Sequence, residues 1–340
     1  MKSMTRAIAA AAAAALALSL AACSTGSDDS TEKTTPAAEN TAFPVTITHA
    51  FGDTVIDEEP QKVVTWGWGA ADAVLALGVV PAAIPAQPYG GDEEGILPWI
   101  GDKLADMGAE TPVILTAGDE APIEEIAAVE PDVVIAPYSG LTQEEYDLLS
   151  AFTKVVAYPD QPWATPWRDV VTVTGQALGK TAEAEQVLTD IDETIAAKAT
   201  EHPEFDGLSI AQVWDVAGTL YVYLPADPRV EFSEDLGFVS AESVNELDTG
   251  ESTFFFTLSN ELLDQLEADV LLVYGDTQEN VDAFLDSDAA KLLPQKDGGM
   301  IAEVIGAAEV ASVSPPTALS LTWGIDSYVT QLSEAVAAAK

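Results

Sequence analysis

The sequence predicts an α/β protein of two Rossmann-like lobes, each with a central parallel sheet, joined by a single long helix. Three observations carry this. First, a phrase recurs on either side of the chain's middle. Pro122-Ile-Glu-Glu-Ile-Ala-Ala-Val-Glu-Pro-Asp-Val-Val-Ile-Ala136 and Ser259-Asn-Glu-Leu-Leu-Asp-Gln-Leu-Glu-Ala-Asp-Val-Leu-Leu-Val273 pair Glu124 with Glu261, Ile126 with Leu263 and Asp132 with Asp269 at one constant offset. Second, each copy runs from a helix start through a short amphipathic helix and a turn into an uninterrupted apolar stretch. That stretch is the pattern of a strand in a parallel sheet covered on both faces. Third, the segment between the copies repeats apolar residues at helical spacing.

That middle segment, Pro166 to about Thr200, holds two runs: Val170, Val173, Thr174, Ala177 and Leu178, then Ala184, Val187, Leu188, Ile191 and Ile195, with Gly179 between them. Thr181 can cap the second run, Glu183 and Glu185 suit the positive end of its dipole, and Pro203 stops it. A helix of some 20 residues spans roughly 30 Å, the width of a small domain, so the segment reads as a strut. The length of 340 residues suits two domains. The expected division is an export signal over 1–22, a flexible tether over 23–42, an N-terminal lobe over 43–165, the connecting helical segment over 166–202 and a C-terminal lobe over 203–340.

In chain order, Lys2 and Arg6 precede an apolar stretch from Ala7 to Leu18 that is too short to span a membrane and has the shape of a secretory signal. Leu20-Ala-Ala-Cys23 then resembles the bacterial lipobox, which implies that the Cys23 thiol is diacylated and anchors the chain; two acyl chains hold stably where one is marginal. Cys23 is the only cysteine, so no intramolecular disulfide forms. Ser24 to Ala42 is Ser, Thr, Asp, Glu and Ala-rich, a tether. Val45 to Ile56 alternates around Gly52-Asp53 and predicts a hairpin. Lys62–Trp66, Ala70–Leu77 and Val79–Ile84 then read as strand, helix and strand, a βαβ unit.

Composition sets limits on partners. The chain carries 57 Asp and Glu against 13 Lys and Arg. Phosphate binding needs clustered cations, so nucleic acid is excluded as a partner. The acidity otherwise describes a strongly solvated surface. No nucleophile elbow, phosphate loop, dinucleotide fingerprint or Cys/His pair is present, and the chain is not expected to be an enzyme. A surface glycan-acting enzyme is the enzymatic alternative.

Thr46-Ile-Thr-His-Ala-Phe-Gly-Asp-Thr-Val-Ile, Lys62-Val-Val-Thr-Trp-Gly-Trp-Gly-Ala-Ala-Asp-Ala, Ile126-Ala-Ala-Val-Glu-Pro-Asp-Val-Val-Ile-Ala, Tyr158-Pro-Asp-Gln-Pro-Trp, Leu236-Gly-Phe and Ser320-Leu-Thr-Trp, in that order, resemble the iron-siderophore substrate-binding lipoproteins of ABC importers. The resemblance runs from Thr46 to the C-terminus. It implies a helix-backboned binding protein with a ferric siderophore in the cleft between lobes, little closure on binding, and delivery to a permease dimer. Haem or cobalamin is the alternative cargo, since the helix-turn-strand phrase occurs across those branches too.

A ligand between sheets lies beyond the carboxyl ends of parallel strands. Aromatic residues stand at such places: Trp68, Tyr89, Tyr138, Trp163, Trp214 and Trp323. Each can also be an ordinary packed ring; together they suit a large, partly planar chelate and attract cationic groups. Past Cys23 the chain has two arginines, Arg168 and Arg229. Arg168, at the start of the strut, reads as structural. Arg229 sits on a Pro-rich stretch and either meets the acidic oxygens of a ferric chelate, as the resemblance implies, or forms a surface pair with Asp227 or Glu231. With so few cations, a neutral or cationic ferric hydroxamate is the expected ligand. Only two histidines exist, His49 and His202, so a three-His metal site cannot form. No cofactor is expected beyond the iron chelate as cargo, although Tyr89, Tyr138, Tyr221 or Tyr223 could ligate haem iron. The resemblance gives Glu124 and Glu261 the role of docking to permease arginines; each Glu also simply suits the first turn of a helix. One cleft per pair of lobes implies a monomer.

Overall fold

The computed structural model describes residues 42–338; the expected export signal, Cys23 and nearly all of the tether lie outside the described residues. β1 (Val45–His49) and β2 (Gly52–Ile56) form the hairpin, with Val45 opposite Ile56 and His49 opposite Gly52. The turn falls at Ala50-Phe51, two residues before the expected Gly52-Asp53. Phe51 fixes it there by stacking on Tyr146 at 4.8 Å and meeting Tyr158 edge-on at 5.3 Å.

The first lobe then alternates strand and helix: β3 (Val63–Thr65), α1 (Ala70–Ala76), β4 (Ala83–Pro85), α2 (Pro98–Asp106), β5 (Val113–Leu115), α3 (Ile123–Val129), β6 (Val133–Ile135), α4 (Gln143–Ser150) and β7 (Lys154–Val156). Its sheet runs β5-β4-β3-β6-β7 and is parallel throughout. β4 starts at Ala83 rather than Val79 because Pro81 has no N–H to give a ladder.

The connection is α5 (Trp167–Ala177) followed by α6 (Thr181–Glu201). Gly179 breaks the run with a φ of +66°, and the helices lie so close that a side chain at Gly175 would meet the Ala184 methyl at 2.5 Å. The long element is therefore α6, about 30 Å by its 21 residues. Arg168 holds this joint: its Nη2 lies 2.9 Å from Asp192 of α6 and 3.3 Å from Asp235.

The second lobe contains β8 (Ser209–Val216), β9 (Thr219–Tyr223), α7 (Pro228–Asp235), β10 (Val239–Ser240), α8 (Glu242–Leu247), β11 (Phe255–Leu258), β12 (Val270–Gly275), α9 (Gln278–Leu285), β13 (Met300–Ile305), α10 (Ala307–Ala311) and α11 (Ser320–Ala338). Its sheet order is β11-β9-β8-β12-β13, with β10 beside the start of β8. Here the expectation of a purely parallel sheet needs correcting. β8, β12 and β13 are parallel, but β9 runs antiparallel to β8 and β11 antiparallel to β9. The cause is the turn Ala217-Gly218, whose φ values of +52° and +86° make a two-residue hairpin connection. Alanine rarely supplies that conformation, so the turn carries no composition signal.

The two copies of the repeated phrase occupy matching places. β6 lies beside β3, and β12 beside β8. Asp132 accepts the N–H groups of Gln61 and Lys62 at 2.8 Å, while Asp269 accepts the N–H of Ser209 at 2.8 Å. In both lobes the acid before the strand ties it to its neighbour's start. The helical part of the second copy is a 3-10 turn, Asn260–Gln265, not the expected amphipathic α-helix; the Gln295 amide takes the carbonyls of Leu266 and Ala268 just beyond it, at 3.2 and 2.9 Å.

One apolar core runs from Val63, Val133 and Ile135 of the first sheet, through Val170, Ile191 and Ile195 of the strut, to Ile210, Val270 and Leu272 of the second sheet and Leu332 of α11. Burying each such aliphatic side chain contributes about 1.5–3 kcal/mol. This shared core fixes the strut against both sheets and so sets which loops face each other.

Candidate ligand-binding site

The first sheet delivers its loops to one edge. Tyr89 follows β4, Tyr138 follows β6 and Trp163 follows β7. Two glycines let these loops crowd together. At Gly67, with φ +87°, a Cβ would lie 2.2 Å from the Tyr138 carbonyl oxygen; at Gly140 it would lie 2.6 Å from Nε1 of Trp163. Trp163 is 50% exposed, sits edge-on to Tyr138 at 5.6 Å and is tied by its N–H to the Ser139 carbonyl at 3.1 Å. A large aromatic surface so exposed, on a backbone held this firmly, is available to a ligand.

The second lobe brings Trp214, Tyr223, Asp227, Arg229 and Asp276 to face them. Tyr89 donates its hydroxyl to Asp276 Oδ1 at 2.8 Å and lies 6.3 Å from Trp214, ring to ring. Tyr138 stands within the field of Asp227 and Arg229. Burial, with the Asp276 hydrogen bond added, pushes the Tyr89 hydroxyl well above the ordinary phenol value, and burial likewise raises Tyr138 and Tyr223. All three stay protonated at neutral pH; the Tyr89 hydroxyl donates to Asp276, and Tyr138 and Tyr223 can donate to oxygen acceptors.

Two sequence placements change. Trp214 lies inside β8, opposite Tyr221, and not in a loop after the strand, because the Ala217-Gly218 hairpin prolongs β8 to Val216. Arg229 lies in the first turn of α7, and its pair with Asp227 is buried. Nε and Nη2 donate to the two carboxylate oxygens at 2.8 and 2.7 Å, and the guanidinium covers the Tyr223 ring at 3.5 Å. Asp227 is 2% exposed and also caps α7 through the Arg229 N–H. Burial alone would lower the Arg229 pKa; the bonds and charge of Asp227 outweigh it and hold the group above the usual arginine value. Losing one partner of such a pair costs about 3–5 kcal/mol, far more than a surface pair. Behind it, the Gln212 amide donates to the Arg229 carbonyl at 3.2 Å and to Ser233 at 2.8 Å, and Gln212 Oε1 accepts from Tyr274 at 2.7 Å. The arginine is locked from behind.

Trp68 and Trp323 share a further ring contact. Trp68 donates its indole N–H to the Pro315 carbonyl at 2.9 Å, and both rings pack on buried Trp99, at 6.5 and 5.4 Å. They form a second aromatic cluster joining α2 to the start of α11, and Trp323 packs there while remaining only partly buried. Beside them, a void of about 10 Å³ lined by Trp68, Asp72, Gln87 and Leu97 has room for one water at most.

Sequence reasoning missed Asp276 and the buried Asp72. The first stands directly after β12, where the carboxyl-end rule could have found it; the second carries no local signal. Glu124 and Glu261 are both exposed and, among the described residues, make no ion pair, whereas neighbouring Glu125 is tied to Thr116 at 2.6 and 2.8 Å. No group of three His, Cys, Asp or Glu side chains among the described residues stands where it could hold a metal ion.

Two lobes on a helical strut, with tyrosines, tryptophans and one locked arginine turned to each other between them, define a solute-binding protein. The periplasmic binding protein family model matches residues 63–294, and the chain belongs to that family. Members are substrate-binding components of transport systems and not enzymes. Among solved structures, PiaA of Streptococcus pneumoniae TIGR4, crystallised with ferrichrome, is 31% identical with a TM-score of 0.75, over 87% of this chain and 99% of that one. A periplasmic solute-binding protein of Mycobacterium smegmatis is 27% identical with a TM-score of 0.72, over 86% and 98%. The probable siderophore-binding lipoprotein YfiY of Bacillus subtilis is 26% identical over 239 residues, 69% of this chain and 70% of its own length.

Proposed function

We propose that this chain captures a ferric siderophore, of hydroxamate type, between its lobes and delivers it to an ABC permease. The observation that carries the reading is the meeting of Tyr89 with Asp276 and Trp214 across the lobes, with Tyr138, edge-on to Trp163, standing in the field of the Arg229–Asp227 pair. Flat apolar faces with a few fixed donors fit a chelate whose iron is already wrapped in oxygen. The ferrichrome bound by PiaA and the name of YfiY support the same class. Residues 1–22 direct export, Cys23 carries the lipid that anchors the protein outside the cell membrane, and 23–42 tether two lobes at 43–165 and 203–340 joined by 166–202. One ligand per monomer follows from one cleft per pair of lobes.

The test is a titration of protein lacking residues 1–23, followed by tryptophan fluorescence. Ferrichrome and ferrioxamine are expected to quench to saturation. Saturation by haemin or cyanocobalamin alone would overturn the cargo, and silence toward every ligand on a folded sample would overturn the binding role.

Glu124 and Glu261 are the contacts to the permease dimer, one from each lobe, supported by their exposure, their lack of an ion pair and their matching positions. Reversing both charges, Glu124→Arg with Glu261→Arg, is expected to stop uptake of labelled ferrichrome by cells while leaving the dissociation constant in solution unchanged. Normal uptake by the double variant would refute the docking role.

A further inference from the structure

We infer that Asp227 sets the charge class of the ligand: by neutralising Arg229 it leaves the cleft, among the described residues, without a free cation and so excludes polyanionic ferric chelates. The inference rests on the siderophore reading above and concerns the same site.

The charged groups that act on the cleft tyrosines Tyr89, Tyr138 and Tyr223 are Arg229, Asp227 and Asp276. Asp227 engages two edges of the guanidinium, at 2.8 and 2.7 Å, leaving Nη1 as the part of the fork it does not bind. Both partners are buried, so salt screens the neutralisation little. Asp227 cannot swing away: it caps α7 through the Arg229 N–H at 2.9 Å, with Pro228 between the two residues. Asp276 adds a negative charge at the rim. A neutral ferric tris-hydroxamate enters this field without a charge penalty, and the Tyr138 and Tyr223 hydroxyls remain as donors. A trianionic ferric tris-catecholate finds a net negative environment.

A merely structural Asp227 would predict that its loss weakens every ligand alike. A charge-setting Asp227 predicts a change in the ratio between ligands. Asp227→Asn keeps the cap oxygen and releases the arginine's charge. The dissociation constant of ferric enterobactin divided by that of ferrichrome is expected to fall at least about tenfold in this variant, and to return to the wild-type value in Asp227→Asn with Arg229→Gln, where both charges are gone. Tryptophan quenching reads both ligands, and thermal melting reports folding of each variant. An unchanged ratio in a folded Asp227→Asn protein would overturn the inference. If that variant does not fold, the double variant decides alone. A ratio equal to wild type supports neutralisation, and a ratio moved against ferric enterobactin shows that Arg229 already acts as a free cation and overturns it. Wild-type protein that binds neither ligand would mark failure of the siderophore reading itself and take the inference with it.

Discussion

Gly67→Ala is expected to destabilise the protein by roughly 2–5 kcal/mol and to abolish ligand binding. Gly67 has a φ of +87°, and an added Cβ would lie 2.2 Å from the Tyr138 carbonyl oxygen and 2.9 Å from the Ser139 side chain. The first feature strains any L-residue; the second forces apart the loops after β3 and β6, whose contact is the 3.0 Å bond from the Trp68 N–H to that same Tyr138 carbonyl. Gly78 separates the two effects. Its φ is +76° with nothing within 4 Å of the added Cβ, so Gly78→Ala meets only the dihedral cost of about 1–2 kcal/mol. Parallel denaturant melts of the two variants test the account, and equal losses would show that the loop contact contributes nothing.

The second large effect belongs to Asp72. This carboxylate of α1 is fully buried; it accepts the Trp99 indole N–H at 2.6 Å and the Thr317 hydroxyl from the segment leading into α11. It joins the two lobes beneath the Trp68–Trp99–Trp323 cluster. Burial pushes its pKa from 3.8 up to about 6, against the opposing pull of the Thr317 and Trp99 hydrogen bonds. The folded state therefore holds the proton more tightly than the unfolded chain. The stabilisation is complete below about pH 4 and is lost as pH rises through 6, a change of about 3 kcal/mol. Asp72→Asn removes the titration and keeps an acceptor for Trp99. The stability difference, wild type minus Asp72→Asn, is expected to fall by that amount between pH 4 and 7, read by urea melts at each pH. A difference that stays flat would mean that Asp72 is ionised throughout at no cost.

Both effects lie where the chain carries the least local signal. Asp72 sits in an ordinary run of small residues, and nothing near it in the chain announces Trp99 or Thr317. The equivalence of Asp132 and Asp269, by contrast, is legible in the residues alone, because both acids do the same local task at the start of a strand. Glu124 and Glu125 illustrate the boundary. They are adjacent and identical in type, yet only the fold shows that Glu125 is consumed by Thr116 while Glu124 stands open.

Residue pattern was enough to define the strut, the βαβ alternation, the repeated unit and the set of aromatics from which a binding site could be built. Helix and strand periodicities report burial of neighbouring residues, and that physics is local. Packing chose which members of the set meet. It sent Trp68 and Trp323 to Trp99, drew Tyr89 to Asp276 across 187 residues of chain, turned β9 against β8 through a left-handed alanine, and buried Arg229 against Asp227. Those outcomes depend on how two sheets pack against one strut, a condition set by the whole core and written at no single position.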